Sequence, residues 1–361
     1  MSTVIAQRLI YILAAILIFG ILIAVHELGH FVAAKLSGVL VNEFSIGMGP
    51  CLWSRQRGET RYSLRALPIG GFCAMEGEDE ESDNPRALSR QGFWKKLVIF
   101  AAGAAMNFLT GFLIILLLYS GIKSFSTNRL VGFAPEFPQE ESGLETGDVI
   151  LSANGERMYL LSSDLDLMAT LDGDGKMDLV VKRNGEKVSL PDVPLQYDAY
   201  TGPDGKTYNG YGLLLGVEDA TVLSRLKISW LNAVDFVREV RLSLQMLLSG
   251  KASMNDVSGP VGIVSVITQV GEKSENAKAA AQNILYFAAL IAVNLAVMNL
   301  LPIPALDGGH ILFLILDEIA LRLIKRRIPG KYEAAINLVF LIALLGFMAV
   351  VTFHDVYKLI R

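Results

Sequence analysis

LIYILAAILIFGILIAV, residues 9–25, runs without a break into His26-Glu27-Leu28-Gly29-His30. An uncharged stretch of this length approaches the roughly 20 residues with which a helix crosses about 30 Å of hydrocarbon. Arg8 precedes it as in a signal peptide, but no small-residue cleavage site closes it, so it reads as a retained span. If the helix continues, His26 and His30 stand one turn apart on one face. Both imidazoles then reach a single zinc ion while Glu27 lies beside it to handle protons. Three ionisable side chains at the end of an apolar helix are expensive in lipid, and this marks an intramembrane site.

Working outward, three more uncharged blocks occupy residues 97–122, 279–306 and 334–353. With 52% apolar and 19% charged residues and a mean hydropathy of +0.44, the composition is that of a chain partly in lipid. The reading is a polytopic α-helical membrane protein with four transmembrane helices. A fifth apolar piece, 308–323, is broken by Asp317 and Glu318 and reads as a short interfacial helix. Arg55, Arg57, Arg61, Arg65, Arg86, Arg90 and Lys95 lie between the first two blocks. Arg322, Lys325, Arg326, Arg327 and Lys331 follow the third. The positive-inside rule makes both loops cytoplasmic, which places the termini and residues 123–278 outside. Cys51 and Cys73 then face a reducing compartment, where no disulfide is expected. A net charge of −4 without a basic stripe excludes a nucleic-acid partner.

Residues 130–217 read as short strands and turns: Leu130-Val131-Gly132-Phe133, Asp148-Val149-Ile150-Leu151, Leu179-Val180-Val181, and an Asn184-Gly185 hairpin turn before Val188. The segment Ser142-Gly143-Leu144-Glu145-Thr146-Gly147-Asp148-Val149-Ile150-Leu151 with Asn154-Gly155 resembles the heart of PDZ domains, which implies an inserted α+β domain that binds peptides by strand addition. Asp172-Gly173-Asp174-Gly175 hints at calcium, but position 12 of such a loop falls on Arg183, so it reads as a solvated turn. Residues 223–248 have the spacing of an amphipathic helix, lying on the membrane surface or packed on the insert.

Zinc needs a third protein ligand. At the inner end of the third block stands Asn299-Leu300-Leu301-Pro302-Ile303-Pro304-Ala305-Leu306-Asp307-Gly308-Gly309-His310. On spacing alone, Asp307 is either a ligand or the cap of a following helix, and His310 is a rival ligand.

The His-Glu-Leu-Gly-His motif in a first span, the Leu-Asp-Gly-Gly motif after a later one and the insert between them resemble the site-2 protease family of intramembrane zinc metalloproteases, closest to the bacterial regulator-of-sigma-E protease group. Phe44-Ser45-Ile46-Gly47-Met48-Gly49-Pro50, Gly70-Gly71-Phe72, Ala101-Ala102-Gly103, Met106-Asn107-Phe108 and Ser258-Gly259-Pro260-Val261-Gly262-Ile263 extend the likeness over nearly the whole chain. Two departures are Ala104, where the family often has proline, and a single PDZ-like domain where some members have two. The resemblance implies that His26, His30 and Asp307 are the zinc (Zn2+) ligands, that Glu27 is catalytic, and that Asn299 and Asn294 hold substrate. It also implies that residues 41–77, which alternate like a hairpin around Arg57-Gly58-Glu59, re-enter the membrane as a β-hairpin.

The chain thus divides into a first transmembrane helix (1–37), a re-entrant hairpin loop (38–95), a second transmembrane helix (96–123), a PDZ-like domain (128–218), an amphipathic helix and connection (219–277), a third transmembrane helix with the Leu-Asp-Gly-Gly motif and a short helix (278–332), and a fourth transmembrane helix (333–361). The expected activity is hydrolysis of peptide bonds within or near transmembrane segments. Family substrates are membrane proteins such as anti-sigma factors, or remnant signal peptides, pre-cleaved by another protease. The expected site is the bacterial cell membrane, with the PDZ-like domain extracytoplasmic. The alternative is a catalytically inactive PDZ scaffold anchored in the membrane.

Overall fold

The computed structural model describes residues 2–78, 82–172, 175–202, 205–251, 253, 257–326 and 329–360. The chain forms two compact units, one of Met1–Ile115 with Val240–Arg361 and the other of Leu116–Glu239.

The first unit begins with α1 (Ser2–Leu36), β1 (Val41–Arg57), β2 (Thr60–Met75) and α2 (Phe93–Tyr119). Among the described residues four helical segments are long and apolar enough to cross a membrane: Gln7–Leu36, Phe93–Tyr119, Ala277–Asn299 and Gly330–Lys358. The expected hairpin turn is present, with Gly58 at φ 61°, but its arms are not simple. Residues 43–46 pair on one side with 71–74, numbers running oppositely, and on the other with 61–64, numbers rising together. Residues 53–57 fold back onto 60–64. The two long strands therefore double over into a sheet ordered 71–74, 43–46, 61–64, 53–57. Phe44-Ser45-Ile46 lies alongside Tyr62-Ser63-Leu64 in the same direction, and is not its antiparallel arm. Gly47, at φ 85°, permits the fold-over: a Cβ there would lie 2.6 Å from Leu67 O.

The sheet is pinned to α1 at both ends of its face. The Phe31 ring meets Phe44 at a tilt and Tyr62 edge-on, with centroids 5.1 and 5.9 Å away. At the turn Glu59 accepts from Arg86 (2.6 and 2.8 Å) and Lys35 (2.7 Å), and these bonds hold its carboxyl down to about 2.

The second unit holds β3 (Ser124–Phe133), α3 (Gln139–Ser142), β4 (Val149–Ala153), β5 (Glu156–Arg157), α4 (Leu161–Asp172), β6 (Lys176–Arg183), β7 (Glu186–Pro194), β8 (Asp198–Thr201), β9 (Thr207–Gly210), β10 (Leu213–Asp219) and the start of α5 (Val222–Leu248). Its main sheet runs β10-β3-β4-β6-β7, with β5 against β4. The turn between β6 and β7 carries Asn184 at φ 51° and Gly185 at φ 92°, the paired left-handed residues of a tight hairpin. Arg183 grips Asp148 through two bonds of 2.9 and 2.7 Å; burial opposes the charge, but the guanidinium and the Glu145 N–H hold the carboxyl below its ordinary range. In the calcium-like turn, Gly173 and Asp174 lie outside the described residues.

The expected amphipathic helix exists as α5. Within the second unit its buried positions carry polar side chains, Ser229, Asn232, Asp235 and Arg238, beside the apolar Ala233 and Phe236. Arg225 Nη2 donates to Ile122 O at 2.9 Å and Asn232 Nδ2 to Tyr119 Oη at 2.8 Å, both at the end of α2. Val222, Leu223, Leu226 and Trp230 are exposed.

The first unit resumes with α6 (Pro260–Glu272), α7 (Ala277–Asn299), α8 (Asp307–Ile324) and α9 (Gly330–Ile360). The two prolines at the inner end of the third apolar block break its helix, α7, as their presence in the sequence implies. The helix stops at Asn299 because Pro302 and Pro304 disfavour helical geometry in the residues before them. Sequence reading left 249–277 as a connection, yet it contains α6, which packs on α1 and α7 through Ile267, Ala15, Leu22, Ile284 and Ile291. No local side chain caps α6. Asp355, buried in α9, accepts from Gly259 N (2.9 Å) and Gly262 N (2.7 Å) instead.

Candidate metal centre

His26 and His30 leave buried positions on one face of α1, and Asp307 opens α8. The two Nε2 atoms are 3.2 Å apart, and Asp307 Oδ2 lies 3.2 Å from one and 3.3 Å from the other. The triangle is nearly equilateral. A tetrahedral zinc ion with ligand bonds of about 2.0–2.1 Å has ligand–ligand edges of about 3.3–3.4 Å, so these atoms match one face of its coordination shell and leave the fourth corner open. Asp307 Oδ2 is buried without a hydrogen bond that meets ordinary criteria. His30 Nδ1 donates to Ile99 O at 2.8 Å, since a carbonyl can only accept, and this turns the lone pair of Nε2 toward the triangle. Two nitrogen lone pairs and a carboxylate facing one another repel unless a cation sits between them. The donor set fits zinc.

Glycines bring the pieces this close. A Cβ on Gly103 of α2 would lie 2.3 Å from His30 Nε2, and one on Gly29 would lie 2.4 Å from Ala102 O. Behind Asp307, the turn 300–306 folds down onto Gly308 and Gly309, where a Cβ would meet Leu301 O at 2.1 Å and Ile303 O at 2.5 Å. Within that turn Ala305 adopts φ 71°, and its N–H donates to Asn337 Oδ1 of α9 at 3.1 Å. The Leu-Asp-Gly-Gly pattern is thus a packing requirement as much as a ligand signature.

Glu27, half-buried, follows His26 on α1 and faces the sheet. Its carboxylate accepts from the Cys73 backbone N–H, and Gly71 leaves room for it, since a Cβ there would lie 3.2 Å from Glu27 Cγ. His310, the rival ligand, is turned elsewhere: Nδ1 donates to Glu333 Oε1 at 3.1 Å and the ring stacks on Phe100 at 5.2 Å. Asn299 is the last residue of α7, half-buried beside the turn that leads to Asp307, while Asn294 is exposed five residues earlier. Among the described residues no hydrogen bond joins either asparagine to the triangle. Sequence reasoning missed the contribution of α2, where Ile99, Gly103 and Asn107 recur every four residues and line one helix face against the histidines. That spacing was the available signal.

Comparison with known proteins places the site in a wider context. The family model described as Peptidase family M50 matches residues 14–347. A Clostridium perfringens protein is 37% identical over 347 residues, covering 96% of this chain and 98% of that one. The regulator of sigma-W protease RasP of Bacillus subtilis is 29% identical over 433 residues, 96% of this chain and 98% of its own. The zinc metalloprotease RasP of Shouchella clausii is 29% identical over 431 residues, covering 96% and 99%.

Proposed function

This chain belongs to peptidase family M50 and is an intramembrane zinc metalloprotease, and from that premise we propose that His26, His30 and Asp307 hold the zinc ion and that Glu27 is the proton-carrying catalytic residue. The observation that carries this is the triangle of 3.2, 3.2 and 3.3 Å between their ligand atoms. When bound, zinc supplies a Lewis acid that acidifies water and polarises a carbonyl. The Glu27 carboxylate takes a proton from the attacking water and delivers it to the leaving amine, while the Cys73 N–H keeps it aimed. Asp307→Ala should strip zinc from the purified protein by elemental analysis; unchanged metal would reject Asp307 as a ligand.

A transmembrane substrate hides its carbonyls in helical hydrogen bonds and must unwind before cleavage. The re-entrant sheet offers a template for the unwound strand. Residues 61–64 have neighbours on both sides, so the free edge near the site is 71–74, where Cys73 already touches Glu27. The substrate adds there as a strand, and Asn299, with Asn294 further out, holds its freed backbone. Cysteines placed along 70–74 should crosslink to a substrate trapped in Glu27→Gln, and those along 61–64 should not.

The basic residues flanking the spans support an orientation with the sheet and the zinc site toward the cytoplasm of a bacterial cell and the β-rich insert outside it. There the insert, read as one PDZ-like domain, excludes bulky proteins until another protease has trimmed them. Substrates of this class are anti-sigma factors or remnant signal peptides. Helix α5 lies on the membrane surface: its polar face is bonded to the end of α2, and its exposed apolar stripe ends in Trp230, a residue suited to the bilayer interface. Removing residues 131–217 should allow cleavage of untrimmed substrates.

A further inference from the structure

We infer that Asn107 of α2 is a positioning residue for zinc: its side-chain oxygen accepts a hydrogen bond from His26 Nδ1–H and so holds that ring in the tautomer whose Nε2 lone pair points at the metal. The inference rests on His26, His30 and Asp307 being the ligands.

The two histidines differ in how their outer nitrogens are held. His30 faces the Ile99 carbonyl, which can only accept, so its tautomer is set by the backbone. His26 Nδ1 faces the Asn107 amide at 3.3 Å, and an amide can present either a donor or an acceptor. Which end faces the ring is a matter of hydrogen-bond logic, because the oxygen and nitrogen of an amide occupy nearly the same space. With Nδ2 toward the ring, His26 Nδ1 accepts and the ring proton sits on Nε2, aimed into the triangle where His30 Nε2 and Asp307 Oδ2 converge. That arrangement blocks the ligand atom and leaves Asn107 Oδ1 buried without a partner, on a residue only 1% exposed. With the amide reversed, Oδ1 gains the Nδ1–H as donor and Nε2 is freed for the metal.

The neighbouring geometry agrees. Gly103, one turn before Asn107, lets α2 approach both rings closely, where a Cβ would meet His30 Nε2 and His26 Cε1, and this brings the Asn107 amide to His26 Nδ1. A histidine ligand whose outer nitrogen donates to a fixed acceptor is both better oriented and more basic. Loss of such a partner typically weakens metal binding about 10- to 100-fold.

The test uses the full-length protein in lipid nanodiscs, with zinc dissociation constants from chelator competition. Asn107→Leu, similar in volume and unable to hydrogen-bond, should weaken zinc about 10- to 100-fold. Asn107→Asp, which can only accept, should restore wild-type affinity or better. If the aspartate variant binds as weakly as the leucine variant, or if the leucine variant binds like wild type, the inference is overturned. A second readout is spectroscopic. In the zinc-loaded protein labelled with 15N-histidine, the His26 Nδ1–H resonance should shift upfield from wild type to Asn107→Leu as its hydrogen bond is lost; an unchanged resonance would overturn the inference. Unchanged zinc in Asp307→Ala would instead bring down the ligand assignment, and the His26 tautomer would still be readable.

Discussion

Two buried polar clusters in this chain are completed in opposite ways. In the second unit the carboxylates of Asp164 and Asp235 close on Arg238, whose guanidinium also donates to Arg157 O and lies 5.2 Å from the Tyr159 ring. At the proposed zinc site, two imidazole nitrogens and the Asp307 carboxylate face one another, and a metal ion held there would supply the positive charge that reconciles them. A cluster finished by its own side chains serves to fasten helices together. One left short of a charge has room for a ligand and for chemistry.

The sharpest break of that contrast is Glu27→Gln. It should leave zinc content intact while cleavage of a membrane-embedded substrate by purified protein falls by about 10^2- to 10^4-fold; retained turnover would remove Glu27 from the proton path. In the other cluster, Arg238→Met leaves the buried, hydrogen-bonded Asp164–Asp235 pair without its cation. It should destabilise the second unit by about 3–5 kcal/mol, visible as early protease cutting within residues 157–239, with zinc content unaffected. Gly103→Ala changes no ligand, yet its Cβ would fall 2.3 Å from His30 Nε2. Overpacking of this kind costs about 1–3 kcal/mol, and the variant should come off a size-exclusion column folded but depleted in zinc.

The smallest effect is one of pH. Burial first, and then the hydrogen bond and charge of Asp164, push the Asp235 carboxyl up to about 8, against the influence of Arg238. A folded-state pKa above the unfolded one means that the contribution of this group is complete at about pH 4 and fades as pH rises toward 8. Hydrogen exchange in residues 229–239, corrected for its intrinsic pH dependence, should be slower at pH 6 than at pH 9; the reverse order would show that Arg238 dominates.

The spans and the histidine pair were legible in the sequence because their signals are local: uninterrupted apolar runs and a spacing of four on a helix. The Asn184-Gly185 turn was legible for the same reason. Asp307 was visible only as a candidate, since spacing does not say that α8 begins beside α1; the triangle does. The doubling of β1 and β2 was read as a plain hairpin because alternation is the same whether a strand pairs once or twice, and glycines at positive φ decide where it folds over. Helix α6 has a local start signal in Pro260, but its cap, Asp355, comes from far along the chain. The buried polar side chains of α5 were equally hidden: periodicity reports that a helix has two faces, and not which of its positions the rest of the molecule covers.

The turn 300–306, seated on Gly308 and Gly309 and fastened to Asn337, also sets when during biosynthesis the protease is born. On the proposed ligand set, a nascent chain displays both histidines early, the carboxylate that would join them emerges much later, and its turn gains the bond to Asn337 only once the last helix has been made.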